Sequence, residues 1–439
     1  MAPDVRRIDE DRGLTVETIF AVSSGRPPAA IAVIRVSGPQ ALPAIAEIAG
    51  RLPDPRRAGL RVLRDPDGGV LDRALVLVFP GPDSATGEDL VELHCHGGRA
   101  VIDAVERVLG ASEGLRRAQP GEFTRRALIN GRIDLAEAEG LADLLTAETE
   151  RQRLAALAGA EGRVSARVRG WLDRIAGIAA EVEAMLDFAD EDDVAQTGRA
   201  LADVRSDAGT LAAEMRDVLD QPPVERLRDG IRLVIGGPPN SGKSTLINLL
   251  AERDVAIVSP TSGTTRDRIE APVMKAGLPF VLTDTAGLTV SDDAIEAIGV
   301  ARAEQSIVAA DILLWLGDEA PDREAIWLHS RADVVGREVA PVGSDLSISA
   351  ESPQTIEALW RLILRQAETL VPAADALVLS RAQADRCAAA ADALAQGSAD
   401  GLLFAEDLRL ALQALATILG LDASEHLLDA LFSRFCIGK

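Results

Sequence analysis

Hydrophobic positions along this chain come in three textures, and each predicts a different kind of structure. From about residue 14 to 130, short apolar runs alternate with turn residues, as in Ala74-Leu75-Val76-Leu77-Val78-Phe79 before Pro80-Gly81-Pro82, the rhythm of strands and turns. From about 133 the period lengthens. Leu135, Ala138, Leu141, Leu144 and Leu145 recur at helical spacing, as do Val164, Val168, Trp171, Leu172 and Ile175, which predicts a packed helical bundle. Gln221-Pro222-Pro223 ends it. In the third texture, Ile231-Arg232-Leu233-Val234-Ile235, Phe280-Val281-Leu282 and Ile312-Leu313-Leu314-Trp315-Leu316 are strand-like, and Thr245-Leu246-Ile247-Asn248-Leu249-Leu250 is helix-like. Past Pro372 the chain is alanine-rich and helical again. The helical domain is therefore expected to be discontinuous, with an α/β domain inserted into it, and the expected segments are 1–132, 133–225, 226–371 and 372–439.

Composition narrows this picture. A chain of 439 residues, 47% apolar, is long enough for two or three domains with real cores. No apolar run approaches the roughly 20 residues that span a bilayer, and the charged opening MAPDVRRIDEDRG is unlike a secretory signal; a soluble cytoplasmic protein without a membrane partner is expected. Cys95, Cys387 and Cys436 are odd in number and far apart, against a disulfide framework or a zinc module. His94 and His96 would share one face of a strand, but a closed zinc site takes four ligands, so metal is the minor reading there. The net charge of −23 repels polyanions, so an RNA substrate requires a basic patch or a partner.

The sharpest chemistry lies at Gly237-Pro238-Pro239-Asn240-Ser241-Gly242-Lys243-Ser244, a complete G-x-x-x-x-G-K-S phosphate loop between a strand and a helix. Its glycines let the backbone wrap the phosphates, and N–H groups at the helix start face the anion. Lys243 is expected to reach the β- and γ-oxygens and Ser244 to hold Mg²⁺, with Asn240, Ser241, Gly242 and Thr245 completing the cradle. Lys243 is also one of only three lysines, with Lys275 and Lys439, among 46 basic residues. Arginine serves elsewhere, so a retained lysine points weakly to a need for a compact ammonium; Lys275, in a hydrophilic turn, has no evident one.

The segments that follow indicate GTP. Ser259-Pro260-Thr261-Ser262-Gly263-Thr264-Thr265 has the composition of a loop closing over a γ-phosphate, with Thr265 as the second hydroxyl ligand of Mg²⁺. Asp284-Thr285-Ala286-Gly287 is a D-x-x-G element, its Asp behind Mg²⁺ and its glycine N–H sensing the γ-phosphate. Order and spacing are those of a Ras-like GTPase, and Ser349-Ala350 is the candidate loop backing the base. The guanine-reading N-K-x-D is degraded to Ser330-Arg331-Ala332-Asp333. Asp333 can still accept from guanine N1–H and N2–H₂, and the Arg331 stem can lie over the ring; loss of the Asn weakens the guanine signature. Leu288 stands where Ras-like enzymes carry a water-orienting glutamine, so something else must place the water. Glu296 is a candidate, although on its own it reads better as a solvated helix-start carboxylate.

These blocks resemble the MnmE (TrmE) family of tRNA-modification GTPases. The resemblance includes Phe435-Cys436-Ile437-Gly438-Lys439, Ala32-Val33-Ile34-Arg35-Val36-Ser37-Gly38, Thr86-Gly87-Glu88-Asp89 through His96-Gly97-Gly98, Pro120-Gly121-Glu122-Phe123-Thr124 and Asn130-Gly131-Arg132-Ile133-Asp134-Leu135. It implies an N-terminal α+β folate-binding and dimerisation domain, a helical domain, and a Ras-like GTPase domain inserted into the latter. It also implies K⁺ in place of an arginine finger, held by Asn240, Ser259, Thr261 and Thr264, with Glu296 as the catalytic glutamate acting through a bridging water. A 5-formyl-tetrahydrofolate-type cofactor would meet Arg35, Glu92, Arg132 and Lys439, with Arg132 standing where lysine is common. The implied function is K⁺-dependent GTP hydrolysis in a homodimer, driving carboxymethylaminomethyl addition at C5 of the wobble uridine of certain tRNAs. The flavoprotein MnmG would join it in a heterotetramer and supply the FAD. Two alternatives stay open: an Era-type ribosome-assembly GTPase, disfavoured by the acidic charge, and a folate-dependent one-carbon transferase in which nucleotide is only regulatory.

Overall fold

The computed structural model describes residues 17–187, 200–252, 270–284, 304–373 and 376–421, together with 428, 431–432, 435 and 438. The chain separates into two compact units. One comprises Met1–Ala142, Ala160–Val168 and Ala416–Lys439; the other comprises Asp143–Gly159 and Arg169–Leu415.

In the first unit the strand texture becomes β1 (Thr18–Val22), β2 (Ile31–Ser37), β3 (Gly59–Arg64), β4 (Val70–Phe79), β5 (Leu90–His96) and β6 (Leu115–Arg117), joined in the order β3-β4-β5-β2-β1-β6. All pairings are antiparallel except β1 with β6. Alternation decides the faces. Ile34, Val36, Val76, Val78 and Leu93 are buried with α1 (Ala41–Ala49) and α2 (Arg99–Ala111), whose Ile45, Ile48, Val105 and Leu109 belong to the same core. The intervening positions Arg35, Glu92 and His94 lie on the other face, where Arg35 is in register with Glu92. β1 is buried on both sides: Phe20 joins the helix-backed core, while Ile19 and Ala21 meet Ala118 and Phe123. Phe123 belongs to α3 (Glu122–Ile129), entered through Gly121 at φ +69°, whose hydrogen faces the Phe432 carbonyl so closely that a Cβ would sit 2.5 Å from it.

Helix α4 (Leu135–Thr146) starts on a reciprocal cap. The Glu137 N–H donates to Asp134 Oδ1 at 3.0 Å, and the Asp134 N–H donates to Glu137 Oε2 at 2.8 Å. Its Leu135 and Ala138 pack with Leu431, Phe432 and Phe435 from the end of the chain. Leu145, expected on the buried stripe, is 42% exposed in the last turn. Two further helices follow, α5 (Glu150–Ala160) and the 25-residue α6 (Arg163–Asp187). Of the predicted positions of α6, Val164, Val168, Trp171 and Ile175 are buried, while Leu172 is half-buried.

In the second unit, α7 (Leu201–Leu219) buries Ala208, Leu211 and Met215. After the short α8 (Glu225–Arg228) comes a second sheet of six described strands: β7 (Ile231–Gly236), β8 (Glu270–Lys275), β9 (Leu278–Asp284), β10 (Ile312–Trp315), β11 (Ile326–Ser330) and β12 (Leu346–Ile348), in the order β12-β11-β10-β7-β9-β8. Only β8 runs antiparallel to its neighbour. Central parallel strands are covered on both faces and so read as continuous apolar runs, as β7 and β10 do. Their core includes α9 (Lys243–Glu252) and α10 (Pro353–Leu370), through Leu246, Leu250, Ile356, Leu359 and Trp360. α11 (Arg381–Gln396), begun by a Ser380–Gln383 capping box, packs against α7 and buries its small Ala390 and Ala391, and α12 (Gly401–Ile418) follows.

Lys275, without evident purpose in the sequence, sits with Nζ 5.5 Å from the Trp360 ring centroid and 4.0 Å from Glu357, a cation–π contact. Phe280 meets Trp360 edge-on at 5.4 Å. The Trp360 indole N–H is buried without a hydrogen-bond partner. Replacing Trp360 by Ala empties a large core volume and is expected to lower the unfolding free energy by about 3–5 kcal/mol. Trp360→Phe, which also removes the unpaired N–H, should cost less than half as much; equal losses in urea titrations would contradict this packing account.

Candidate functional site

Strand β7 lies between β10 on one side and β9 on the other, so the chain leaving its C-terminal end enters a crevice where the order of strands diverges. The phosphate loop occupies that position. Gly237, at φ +141°, lies so close to β10 that a Cβ would come within 2.5 Å of the Leu316 carbonyl, and Gly242 takes φ +98°. Neither position suits a side chain. Lys243, buried at the start of α9, donates from Nζ to the Gly237 carbonyl at 2.9 Å and to the Pro238 carbonyl at 2.7 Å. Burial lowers its ammonium below the ordinary lysine value, against the pull of the Asp284 carboxylate. The adjacent Ser244 hydroxyl donates to Asp284 Oδ2 at 2.8 Å, uniting the G-K-S and D-x-x-G elements across 40 residues.

Asn240, Ser241, Gly242, Lys243, Ser244, Thr245, Asp333, Ser349 and Ala350 line one cavity of about 490 Å³. Within it the Ser241 Oγ is buried without a partner. A hydroxyl pair with a buried carboxylate, an unpaired hydroxyl and a buried ammonium suit a polyphosphate with a small hard cation. The base side is also assembled: the Ser349 hydroxyl bonds the exposed Asp333 carboxylate and, with the backbone N–H of Asp333, holds it below the usual carboxylate range. Sequence reasoning missed the apolar wall of Leu249, Leu316, Val334 and Ile356. Each reads locally as core, and only the strand order brings them together. Ser259, Pro260, Thr261, Ser262, Gly263, Thr264, Thr265, Thr285, Ala286, Gly287 and Glu296 lie outside the described residues, as do Cys436 and Lys439.

In the first unit, Arg35 donates from Nε and Nη2 to Glu92 Oε1 at 3.1 and 2.8 Å, and its guanidinium lies 5.8 Å from the Phe123 ring centroid. The other Glu92 oxygen is 3.4 Å from His94 Nε2. Arg132 faces Asp83 at 3.6 Å, both well exposed. It adjoins the loop that Asn130 ties by donating to the Thr86 carbonyl at 2.7 Å. That loop returns to β2 through Ser37, whose hydroxyl is 2.7 Å from Thr86 Oγ1 and donates to Glu88 at 2.8 Å. Ser37 is two residues from Arg35 on the same strand, so a chain of hydrogen bonds through the buried Ser37 and Thr86 runs from β2 to the loop beside Arg132, and the Gly438 carbonyl accepts from Ser23 Oγ at 2.7 Å. Arg126 was not anticipated. Nearly buried, it bonds both Glu88 and Glu122 at 3.1 Å and so joins the Thr86-Gly87-Glu88 and Pro120-Gly121-Glu122 blocks. Only its i,i+4 spacing from Glu122 was a local clue.

His94 and His96 have separate partners, His96 being 2.7 Å from Asp72, and the described residues contain no metal-ligand cluster. Burial pushes the Cys95 thiol up to about 12, with Asp72 adding to it, and the Cys387 thiol up to about 11; neither is poised for thiolate chemistry.

The strand order, with its phosphate loop at the point of divergence and the Ser244–Asp284 pair beside it, defines a phosphate-loop nucleotide-binding protein of the GTPase class. Comparison with known proteins is more specific. Residues 18–132 match the family model described as the GTP-binding protein TrmE N-terminus, and residues 135–436 match the MnmE helical domain. A tRNA modification GTPase MnmE of Erythrobacter litoralis is 52% identical over 97% of this chain and 100% of its own length. The MnmE of Rhizorhabdus wittichii is 52% identical over 96% of this chain and 97% of its own length. Among solved structures, Aquifex aeolicus Era bound to GDP and AlF4⁻ matches 37% of this chain and 66% of its own at 22% identity and a TM-score of 0.24, too slight an overlap to bear on function. This chain belongs to the MnmE family of tRNA modification GTPases.

Two predictions follow from this geometry. Gly237→Ala drives a methyl group into the Leu316 carbonyl and should weaken nucleotide binding at least tenfold in calorimetric titration; unchanged affinity would show that the loop does not need this close approach. Burial pushes the Glu122 carboxyl up, but Arg116, the Gln119 N–H and Arg126 together hold it below the ordinary glutamate value of 4.5. Its contribution to stability is fully present above pH 4.5 and is lost as pH falls through the lower native value. Thermal unfolding of Glu122→Gln should therefore vary less between pH 6 and pH 3.5 than that of the parent.

Proposed function

We propose that this chain is a GTP hydrolase acting in tRNA modification, as its family membership implies, and that the Lys243, Ser244 and Asp284 arrangement is its triphosphate site. The observation that carries this reading is a buried ammonium bonded to two phosphate-loop carbonyls beside a hydroxyl–carboxylate pair. Lys243 binds the β- and γ-oxygens, the N–H groups from Gly242 to Thr245 cradle the phosphates, and Asp333 with Ser349 and Ala350 receives guanine. Ser244 and Thr265 would hold Mg²⁺, with Asp284 behind it, and the ion would supply positive charge to offset that of the phosphate oxygens. Thr285, Ala286 and Gly287 carry the γ-phosphate sensor.

The finer assignment extends the family reading. Asn240, Ser259, Thr261 and Thr264 would hold potassium, and Glu296 would take a proton from the attacking water through a second, bridging water, which Leu288 cannot do. Arg35, Glu92, Arg132 and Lys439 bind a 5-formyl-tetrahydrofolate-type cofactor: Glu92 pairs with a pterin donor edge and the cations meet the tail carboxylates. The hydrogen-bond chain from β2 to the loop beside Arg132 supports that grouping. The working form is a homodimer joined by MnmG in a heterotetramer; the partner supplies FAD and can supply RNA-binding surface, which suits a chain of net charge −23. The product is a carboxymethylaminomethyl group on C5 of the wobble uridine. In this reading a GTPase region of 226–371 is inserted into a helical domain of 133–225 and 372–439, after an N-terminal domain of 1–132. No helix among the described residues is long and apolar enough to cross a membrane.

Hydrolysis of GTP by the full chain, measured in K⁺ and in Na⁺ with and without the flavoprotein, tests this directly. Turnover should require K⁺, and Glu296→Ala should bind GTP while losing about 10²-fold or more in rate. Full activity in Na⁺ would remove the potassium assignment, and an active Glu296→Ala would remove the base.

A further inference from the structure

The Thr86-Gly87-Glu88 turn has no part in the assignments above, yet three residues outside it hold it in place. Ser37 and Thr86 are fully buried, and their hydroxyls lie 2.7 Å apart. A carboxylate only accepts, so the Ser37 proton goes to Glu88 Oε2 at 2.8 Å, and in the contact between the hydroxyls Thr86 is the donor. The same carboxylate receives Arg126 Nη1 at 3.1 Å. Arg126 lies on α3, which takes hold of the turn again at its C-terminal end, where Asn130 donates from Nδ2 to the Thr86 carbonyl at 2.7 Å.

Arg132 starts where that hold ends. Its backbone N–H donates to the Ala127 carbonyl at 2.8 Å, which ties its main chain to α3. Gly87 lies over its stem: at φ +81°, a Cβ there would stand 2.8 Å from Asn130 Cβ and 3.3 Å from Arg132 Cγ. A guanidinium on a long, rotamer-rich stem sweeps a wide volume unless that stem is confined. Here the backbone bond and the turn confine its near half. The head faces the exposed Asp83 at 3.6 Å, on the loop that leads into the same turn. An exposed pair of that length is weak, so the guanidinium remains free to take a ligand carboxylate in a charge-assisted bond.

We propose that the Thr86-Gly87-Glu88 turn, anchored by Arg126, is a positioning element for Arg132: it sets where the guanidinium stands and so how much a carboxylate-bearing tail adds to folate affinity. This rests on the folate reading given above. Thr86, Gly87, Glu88 and Arg126 act through Arg132 and do not touch the ligand.

The test is titration of the full chain with 5-formyl-tetrahydrofolate and with 5-formyl-6-methyltetrahydropterin, which has the ring without the tail. The ratio of the two affinities measures what the tail adds. Thr86→Val removes the hydroxyl at nearly constant volume and should lower that ratio about threefold to tenfold, the cost of ordering one freed, rotamer-rich side chain, while pterin binding stays at the parental value. Thr86→Ser keeps the hydroxyl and should restore the parental ratio, which a position sensitive only to bulk would not do. Gly87→Ala, which pushes on the Arg132 stem itself, should lower the ratio at least as far; should that variant fail to fold, the Thr86 pair decides the matter. Equal weakening of both ligands by Thr86→Val, an unchanged ratio in either Thr86→Val or a folded Gly87→Ala, or Thr86→Ser behaving as Thr86→Val would overturn the proposal. So would a parent for which the tail adds nothing. A parent that binds neither ligand would overturn the folate reading itself.

Discussion

The buried ammonium of Lys243 is the constraint around which the second unit is organised. Removing a cation from water is costly unless other charges or dipoles replace the lost solvation, and here the Gly237 and Pro238 carbonyls do so only in part. The lowered ammonium pKa is the other expression of that shortfall. A polyanion completes the solvation, so the energy kept back in folding becomes available for binding. Gly237 and Gly242 in backbone conformations hostile to side chains, and a strand end that leads straight into a helix start, follow from the need to bring peptide dipoles around the same anion.

The surrounding architecture holds this arrangement at several distant points of the sequence. β10 presses against Gly237 through Leu316, β9 delivers Asp284 to Ser244, and the end of β11 grips the loop carbonyls. Three successive parallel strands thus fix one loop, and parallel order is what brings their C-terminal ends to the same edge. In the first unit an analogous role falls to Arg126, which joins two acidic blocks that would otherwise repel each other. Both units place their chemistry on loops and sheet faces supported by apolar cores, so packing and function use different faces of the same strands.

Much of this was legible from local sequence, for identifiable reasons. The phosphate loop declares itself because glycine, lysine and serine are each required by a different atom of the same ligand. Strand β7 and helix α9 follow from hydrophobic period. The stripe along α6 came out buried because an amphipathic helix longer than six turns leaves little freedom over which side packs. What could not be read were contacts between residues remote in the chain. Ser330 shows a missing Asn but not its hold on Ser241, since that depends on β11 lying beside β10 and β10 beside β7. Lys275 looks idle until Trp360 arrives from α10, and Arg126 resembles a surface arginine until the loop at Glu88 folds over it. Leu145 shows the limit of period alone: the helix continues correctly, but the packing beneath it has ended.

The central claim is that Lys243 is buried, unfavourably for the empty chain, in order to bind phosphate. The most direct measurement pairs GTP affinity with thermal stability for the parent and Lys243→Ala. The account predicts that the variant loses at least a hundredfold in GTP affinity while its ligand-free unfolding temperature is unchanged or higher. A variant that binds GTP as tightly as the parent, or that unfolds at a clearly lower temperature without ligand, would mean that Lys243 serves the fold rather than the phosphate.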